Sequence, residues 1–291
     1  MFYALIRLTR LMMTLWRGLC HLPTSWHQLI GKFCGKVLLI VAKKRKKIAE
    51  RNLEVCFPDH SNEEHAKLLH DNFLYLGRSF IETGIAWFWA NKRIQDQIDY
   101  EILGMDLLTT HNQDNGNLII FKHSQHLELD ARIFAMNAEL YGVSRSHNSP
   151  LMNAIQDKGR LTSIKGTADK NNPRKFMKWL KAGKNVLYAV DQDYGWSHSA
   201  KLKFFNQDAA TITTTRKIID ATNSNLLFIN SYYQDNKLIL KLELIEHDGL
   251  DASALAQKIN DLIEDKILQH PAEYLWMHRR FKSTLGKNFY K

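Results

Sequence analysis

The chain has 291 residues, of which 45% are hydrophobic and 24% are charged. This composition is typical of a globular protein with a sizeable core, and it excludes a disordered, collagen-like or coiled-coil chain. The net charge of +10 is concentrated near the N-terminus, because residues 1–60 hold eleven Lys or Arg against three acidic residues. The nearly neutral body argues against nucleic acid as a partner, and the basic end suits a membrane surface or an acidic protein.

The first segment predicts a helix that lies on a membrane surface. In "MFYALIRLTRLMMTLWRGL", Arg7, Arg10 and Arg17 share one helical face, and apolar side chains cover much of the rest. The longest uncharged run (18–31) has 14 residues and contains a proline, whereas a membrane span needs about 20 apolar residues. We therefore expect residues 1–42 to form a membrane-associating helical arm. The alternative is that this helix only covers the rest of the protein.

Two helices are predicted next, on either side of Pro58. Ser61 is followed three positions later by Glu64, which is the pattern of a capping box at the start of the second helix. Apolar residues at helical spacing continue as far as an aromatic cluster at 87–89. The helices are expected to open a single catalytic domain that spans residues 43–291.

From about residue 97 the pattern changes to alternating strands and helices. The predicted strands are Leu118–Phe121, Leu140–Ser144, Leu161–Ile164, Val186–Val190, Leu226–Tyr233 and Leu238–Leu244. The predicted helices are 124–137, 173–182, 208–221 and 252–268. This alternation predicts an α/β fold with a mixed, largely parallel sheet flanked by helices, ending in an antiparallel hairpin turned at 234–237. Candidate sites then lie at the carboxyl ends of the strands.

The stretch "NLIIFKHSQHLELDAR" (117–132) places ionisable residues directly after a predicted buried strand. If the strand ends near Lys122 and a helix begins at Ser124, His123 lies in the turn and Glu128 in the first two helical turns. The carboxylate can then hydrogen-bond one imidazole nitrogen and stabilise the imidazolium that forms on proton uptake. The pair is therefore predicted to act as a general base, with the other nitrogen facing a substrate.

His126 and Asp130 lie four positions apart and would share one helical face. Three interpretations are open for them: a second pair, a metal site together with His123, or a surface pair. The surface pair is favoured, because no His-x-His or His-Glu-x-x-His spacing is present. The sequence also lacks a Gly-x-Ser-x-Gly elbow and has no cysteine near this strand. The His–Glu pair is therefore predicted to activate a hydroxyl of the substrate itself.

The spacing His-x-x-x-x-Glu is weakly specific alone, but further segments accompany it. They are "RKKIAERNLEVCFPD" (45–59), "LGRSFIETGIAWFW" (76–89), "VLYAVDQDYG" (186–195), "FFNQDAATITTT" (204–215) and "HPAEYLWMHRRFK" (270–282). In this order and spacing they resemble the lipid A late acyltransferase family, which belongs to the wider His-x4-Asp/Glu acyltransferases. The similarity runs from about Lys43 to Lys282 and implies a glycerolphosphate-acyltransferase-like fold.

The resemblance implies a transfer of a fatty acyl chain from acyl carrier protein to a hydroxyl on an acyl chain of Kdo(2)-lipid IVA or its mono-acylated product. It implies His123 as the general base and Glu128 as its partner. Because the sequence offers no obvious nucleophile, no covalent acyl-enzyme is expected, and no cofactor is expected either. The resemblance also implies a location at the cytoplasmic face of the inner membrane. There the basic arm suits acyl carrier protein, an acidic partner.

Asp191 and Asp193 in "VDQDYG" form a further candidate pair at the end of a strand. Glycosyltransferases present a metal-binding Asp-x-Asp in a similar position, so a metal-dependent glycosyltransferase is the alternative function. Shaping of the loop or orientation of the substrate is a second interpretation, and ordinary turn chemistry is a third. The resemblance favours the second, so both residues are predicted to contribute to substrate binding without a metal.

The phosphorylated disaccharide of such an acceptor needs cationic contacts, and arginine offers forked donors that match phosphate oxygens. The candidates are Arg145, Arg160, Arg279 and Arg280. Ordinary surface salt bridges are the alternative for each of them. Arg160 is favoured as a site residue, because its matching family segment lies near the His–Glu pair.

Overall fold

A computed structural model describes residues 2–110, 115–144 and 150–291. Its helices are α1 (Phe2–Cys20), α2 (Thr24–Val41), α3 (Lys43–Cys56), α4 (Asn62–Phe88), α5 (Asn91–Gln97), α6 (Leu107–Thr110), α7 (Leu127–Asn137), α8 (Pro150–Arg160), α9 (Pro173–Lys181), α10 (Thr214–Thr222), α11 (Ala252–Gln269) and α12 (Lys282–Leu285). The strands are β1 (Tyr100–Leu103), β2 (Asn117–Phe121), β3 (Leu140–Ser144), β4 (Gly166–Asp169), β5 (Asn185–Ala189), β6 (Ser199–Phe204), β7 (Gln207–Ile212), β8 (Asn225–Gln234) and β9 (Lys237–Leu244). Short 3₁₀ helices lie at Pro271–Glu273 and Lys287–Tyr290.

A seven-stranded sheet in the order β1-β9-β8-β2-β5-β3-β4 forms the centre of the molecule. Its neighbouring strands are parallel except for β8 and β9, which form an antiparallel hairpin. A separate antiparallel hairpin joins β6 to β7. The predicted α/β fold with a mixed, largely parallel sheet flanked by helices is therefore confirmed.

Strand β2 lies in the middle of the sheet, and all of its residues are buried. Its side chains enter two hydrophobic clusters on opposite faces of the sheet, Leu118 and Ile120 in one, Ile119 and Phe121 in the other. A strand covered on both faces has no alternation of polar and apolar residues, which explains the sequence "NLIIF". Burial on both faces also fixes where the carboxyl end of this strand lies.

Several local predictions are confirmed. The strand β3 has the predicted bounds, the helices α3 and α4 are separated at Pro58, and β8 and β9 form the predicted hairpin. Ser61 and Glu64 form the capping box: the amide of Ser61 donates to the Glu64 carboxylate at 2.7 Å, and the amide of Glu64 to the Ser61 hydroxyl at 3.2 Å. These features depend only on residues close together in the chain.

Three predicted elements are wrong in part. The expected strand Leu161–Ile164 is a turn that ends α8, because the amide of Ile164 donates to the Arg160 carbonyl at 3.0 Å, and the strand β4 begins only at Gly166. The segment 208–221 begins as β7, paired with β6, and becomes helical at α10. The helix expected from Ser124 begins at Leu127.

Helix α2 contacts α4 through glycine residues. Gly31 and Gly35 on α2 face Gly77 on α4, where a Cβ atom would lie 2.7 Å from the Cα of Gly35 and closer still to the carbonyl oxygen of Gly31. The two backbones therefore approach more closely than any larger residue permits. The arm is thus in close contact with the helix that follows it, and the division into residues 1–42 and 43–291 stays a prediction.

The opposite face of α2 is apolar and exposed. Its exposed apolar side chains are Trp26, Leu29, Phe33, Val37, Ile40 and Val41. Their spacing of three and four places them on one helical stripe, which we call the α2 stripe. Helix α1 exposes a similar α1 stripe of Leu11, Met12, Leu15 and Leu19. No helix in the described part of the chain is long and apolar enough to cross a membrane.

Replacement of Gly77 by Ala is expected to push α2 away from α4 and to lower the free energy of unfolding by roughly 1–3 kcal/mol, the usual effect of overpacking. The matched control is Gly18→Ala on α1, because a Cβ there meets no described atom within 4 Å. That control should be neutral or stabilising by up to about 1 kcal/mol. Urea unfolding followed by tryptophan fluorescence measures both variants, and equal stability would contradict the close helix crossing.

Candidate active site

The candidate site lies where two neighbouring parallel strands end. Phe121 at the end of β2 is paired in register with Ala189 at the end of β5. His123 lies two residues beyond the end of β2, and Asp191 lies two residues beyond the end of β5. The backbone N–H of His123 donates to one carboxylate oxygen of Asp191 at 2.8 Å, and the ring Nδ1 lies 2.6 Å from the other oxygen. The carboxylate therefore holds the imidazole through its backbone and its ring, and Nε2 points away from it.

The imidazole borders a cavity of about 830 Å³, which we call the reaction cavity. Apolar side chains such as Phe121, Phe176 and Met177 line it together with polar ones such as Tyr194 and Arg160. Its volume lies within the range of roughly 300–1,000 Å³ that is usual for small-molecule sites. The lining combines apolar side chains with a similar number of polar ones, which suits a long chain that ends in a reactive polar group.

Glu128 has different partners from those expected. Its carboxylate accepts hydrogen bonds from Trp87 Nε1 at 3.0 Å and from Arg160, through Nε at 3.0 Å and Nη2 at 2.5 Å. Glu128 lies in the first turn of α7 and reaches Arg160 at the end of α8. The predicted hydrogen bond between His123 and Glu128 is therefore replaced by the bond to Asp191, and Arg160 connects Glu128 to the reaction cavity.

Asp191 is fully buried, and its pKa nevertheless lies well below the usual value. Burial by itself raises the pKa of a carboxyl group, but the charge and the hydrogen bonds of His123 lower it by more. A second imidazole nearby, that of His278, has its pKa lowered to about 4 by burial and is therefore neutral. Asp191 thus stays ionised at neutral pH, with its carboxylate directly beside the His123 ring.

Asp193 ties the loop after β5 to the C-terminal region. Its carboxylate accepts hydrogen bonds from the amide and the hydroxyl of Ser283, both at 2.7 Å, and from the amide of Gly195 at 2.9 Å. The oxygens of Asp191 are likewise engaged by His123. Within the described ranges no three His, Cys, Asp or Glu side chains converge as a metal site would require. The geometry therefore gives the glycosyltransferase alternative no support.

The predicted phosphate-binding arginines lie in different surroundings. Arg145 falls outside the described residues. Arg279 is exposed, whereas Arg280 is buried and donates to the carbonyl and hydroxyl oxygens of β7 residues at 2.8 and 2.9 Å. Of the three that the structure describes, Arg160 borders the reaction cavity. It is therefore the arginine that the fold brings to the candidate site.

His126 and Asp130 are buried, so the prediction of a surface pair is wrong. The ring Nδ1 of His126 lies 2.8 Å from the Asp130 carboxylate, and Nε2 lies 2.9 Å from that of Glu273. Burial lowers the pKa of His126, but the charges and hydrogen bonds of the two carboxylates raise it to about 10. The ring is therefore a buried cation between two acids. Glu273, which is distant in sequence, supplies the second carboxylate partner of His126 in the protein interior.

This buried triad fastens the loop between β2 and α7 to the segment that follows α11. The amide of Gln125 donates to the carbonyl of Glu273 at 2.7 Å, and the amide of Leu275 donates to the carbonyl of His123 at 2.9 Å. The backbone of His123 is thus held by the C-terminal segment while Asp191 holds its ring. The triad positions the loop that carries the candidate base.

Lys122 is a buried charge that the sequence analysis did not single out. Its Nζ donates to Asn230 Oδ1 at 2.8 Å and to the carbonyl of Ser231 at 2.6 Å. Burial lowers its pKa to about 8. The signal available in the sequence was its place as the first ionisable residue after a continuous apolar strand.

Comparison with known proteins gives a consistent result. Residues 3–283 match the family described as bacterial lipid A biosynthesis acyltransferase. The chain is 36% identical to a lipid A biosynthesis lauroyltransferase and 35% identical to a lipid A biosynthesis palmitoleoyltransferase, both of Escherichia coli (strain K12), and each match covers 87% of this chain and 84% of the relative. A lipid A biosynthesis acyltransferase of Haemophilus influenzae (strain ATCC 51907 / DSM 11121 / KW20 / Rd) is 32% identical, over 92% of this chain and 88% of the relative.

The buried charge of His126 predicts a pH-dependent contribution to stability. Because its folded pKa of about 10 lies above the ordinary value of 6.5, the contribution is complete below that value and is lost as the pH rises toward 10. Replacement of His126 by Asn is expected to lower the free energy of unfolding by roughly 3–5 kcal/mol near neutral pH, because two buried acids lose their cation. The gap in free energy of unfolding between the wild type and the variant should narrow with rising pH, by at most about 1.4 kcal/mol per pH unit.

Urea unfolding of the wild type and the variant over a range from mildly acidic to alkaline pH measures this gap. The matched control is His70→Asn, since His70 is partly exposed and lies 3.3 Å from Asp71. A small, constant gap is expected for the control. A gap for His126→Asn that stays the same across the range would show that the ring is not a buried cation.

Proposed function

This chain belongs to the bacterial lipid A biosynthesis acyltransferase family, and we propose that it transfers a fatty acyl chain from acyl carrier protein to a hydroxyl on an acyl chain of Kdo(2)-lipid IVA or its mono-acylated product. The observation that carries the proposal is the His123–Asp191 pair at the edge of the reaction cavity. An imidazole bound by a carboxylate beside apolar walls is what the deprotonation of an alcohol on a long chain requires.

His123 acts as the general base through Nε2. It takes the proton of the acceptor hydroxyl while that oxygen attacks the carbonyl carbon of the thioester. The carbon–sulfur bond then breaks, the fatty chain becomes an ester of the acceptor, and the imidazolium returns the proton to the departing thiolate. Asp191 stabilises the imidazolium between these steps. The acyl chain passes directly from donor to acceptor without a covalent acyl-enzyme.

Glu128 acts through Arg160 in this mechanism. Its carboxylate pairs with two nitrogens of the guanidinium and holds it at the edge of the reaction cavity. A fixed cation in that position stabilises the negative charge that develops on the thioester oxygen during attack. Glu128 is therefore a positioning residue, and the member of the pair that faces the reacting atoms is Arg160.

The exposed apolar stripes of α1 and α2 support a location on the membrane surface, where the lipid acceptor resides. Phe33 and Ile40 in the α2 stripe are 68% and 72% exposed, and the exposed Lys32 and Lys36 flank them. A helix with an exposed apolar face and flanking cations lies in the interface of a bilayer with anionic lipids. Acyl carrier protein would then approach from the cytoplasm, so the enzyme works at the cytoplasmic face of the inner membrane.

Replacement of His123 by Ala is expected to lower kcat by a factor of roughly 10²–10⁴, because the general base is lost. Asp191→Asn is expected to lower kcat by up to about 10⁴, because an amide does not stabilise the imidazolium. KM for the acceptor should change little in both variants. Transfer from acyl carrier proteins loaded with different fatty acids to radiolabelled Kdo(2)-lipid IVA measures these effects.

The control for the catalytic variants is His70→Ala, which alters a partly exposed histidine and should retain full turnover. The Glu128→Gln variant separates the two possible partners of the base. Nearly normal turnover in Asp191→Asn, together with an inactive Glu128→Gln enzyme, would show that Glu128 is the partner of His123 and contradict the role proposed for Asp191.

Introduction of charge into the α2 stripe is expected to weaken membrane binding. The double variant Phe33→Glu/Ile40→Glu should lose at least about tenfold in affinity for vesicles, since burial of one large apolar side chain stabilises by roughly 1.5–3 kcal/mol. The control, Leu268→Glu/Leu285→Glu, alters two apolar residues that are also exposed but lie outside the arm. Flotation with phosphatidylglycerol–phosphatidylcholine vesicles measures binding, and equal affinity of both double variants would disprove docking through α2.

A further inference from the structure

A groove of about 850 Å³ lies apart from the reaction cavity. Residues of α1 line one side, residues of α8 the other, and the end of α4 contributes the floor. Met13, Trp87, Phe88, Leu151 and Ile155 make its interior apolar. We call it the α1/α8 groove. Its shape and lining suit an alkyl chain.

Three cations border the α1/α8 groove: Arg10 and Arg17 from α1, and Lys158 from α8. All three are exposed, and no acidic side chain is found among the described residues that line the groove. Asp157, the neighbour of Lys158, is not one of the lining residues. Among the described side chains, none of the three cations forms a salt bridge with a carboxylate. The groove therefore combines an apolar interior with unneutralised positive charge, which suits an anionic amphiphile.

One layer of side chains separates the α1/α8 groove from the reacting groups. Gly159 lies directly on the Trp87 ring, so closely that a Cβ atom would not fit between them. Trp87 Nε1 donates to Glu128 at 3.0 Å, and Glu128 pairs with Arg160 at the edge of the reaction cavity. A ligand in the groove would therefore contact Trp87, whose ring nitrogen hydrogen-bonds the ion pair.

We propose that the α1/α8 groove binds a phosphorylated acyl lipid, with an acyl chain on the apolar floor and the phosphate held by Arg10, Arg17 and Lys158. The proposal rests on the proposed function, because the lipid acceptor carries phosphates and several acyl chains. Only the chain with the reacting hydroxyl has to reach His123, which leaves another chain for the groove. The α1 stripe lies on the same helix, so a lipid can enter from the bilayer surface.

Photolabelling of the full-length enzyme tests this site without any acyl donor. The probe is phosphatidic acid with a benzophenone at the end of one acyl chain, present at low density in phosphatidylcholine vesicles. Mass spectrometry of the labelled protein is expected to find crosslinks in α1 and α8. Phosphatidylcholine with the same benzophenone chain should label these helices several-fold less, and inorganic phosphate in solution should not compete.

The charge variant is Arg10→Gln/Arg17→Gln/Lys158→Gln. Its labelling, normalised to the vesicle-bound fraction, is expected to fall at least about tenfold, which corresponds to about 1.4 kcal/mol. Ala154→Trp keeps all three charges but fills the groove, in which Ala154 is an exposed lining residue, and should reduce labelling as strongly. The matched control removes three exposed charges elsewhere, at Lys43, Lys181 and Lys287, and should label like the wild type.

Wild-type labelling in either groove variant, or an equal loss in the control, would overturn the proposal. Equal labelling by the phosphatidylcholine probe would overturn it as well, because the groove would then be a general hydrophobic surface. Full competition by inorganic phosphate would show an anion site without an acyl component. The His123→Ala enzyme should still be labelled, so a failure of this site is distinguishable from a failure of the proposed chemistry.

Discussion

The parallel pairing of β2 with β5 determines where chemistry can occur in this protein. Because neighbouring parallel strands end at one edge of the sheet, the residues two positions beyond those ends, His123 and Asp191, come within hydrogen-bonding distance. The pairing of β2 with β5 is continuous from Asn117 to Phe121, and β2 is buried on both faces. The reaction cavity and the Glu128–Arg160 pair are arranged around this edge.

The loop that carries His123 is held in place by charges that are themselves costly to bury. An ion in the interior costs several kcal/mol unless charged partners and hydrogen bonds compensate it. His126 has two carboxylate partners, and its pKa is raised, whereas Lys122 hydrogen-bonds neutral oxygens, and its pKa is lowered. The network joins β2, β8 and the segment after α11. Its physical effect is to couple the position of His123 to three distant parts of the chain.

In the proposed function, the N-terminal arm brings the site to its lipid acceptor. Close glycine contacts hold α2 against α4, and the outward face of α2 remains apolar. Trp87, in the last turn of α4, lines the α1/α8 groove and hydrogen-bonds Glu128. An acceptor that has several chains needs a surface where it enters, a place for its other chains and a path to the base. The arm, the groove and the reaction cavity supply these in adjoining parts of the fold.

Features that depend on near neighbours follow from the sequence alone: the capping box at Ser61, the strand that ends before His123, the hairpin at 234–237 and the family. Which ionisable groups come into contact depends instead on the three-dimensional fold. Asp191 lies 68 positions from His123 and Glu273 lies 147 positions from His126, and strand order cannot be read from local periodicity. The hairpin β6–β7 was missed for a related reason, since its residues gain strand structure by pairing with each other. Local sequence patterns indicate which residues are capable of chemistry, whereas long-range contacts determine their partners.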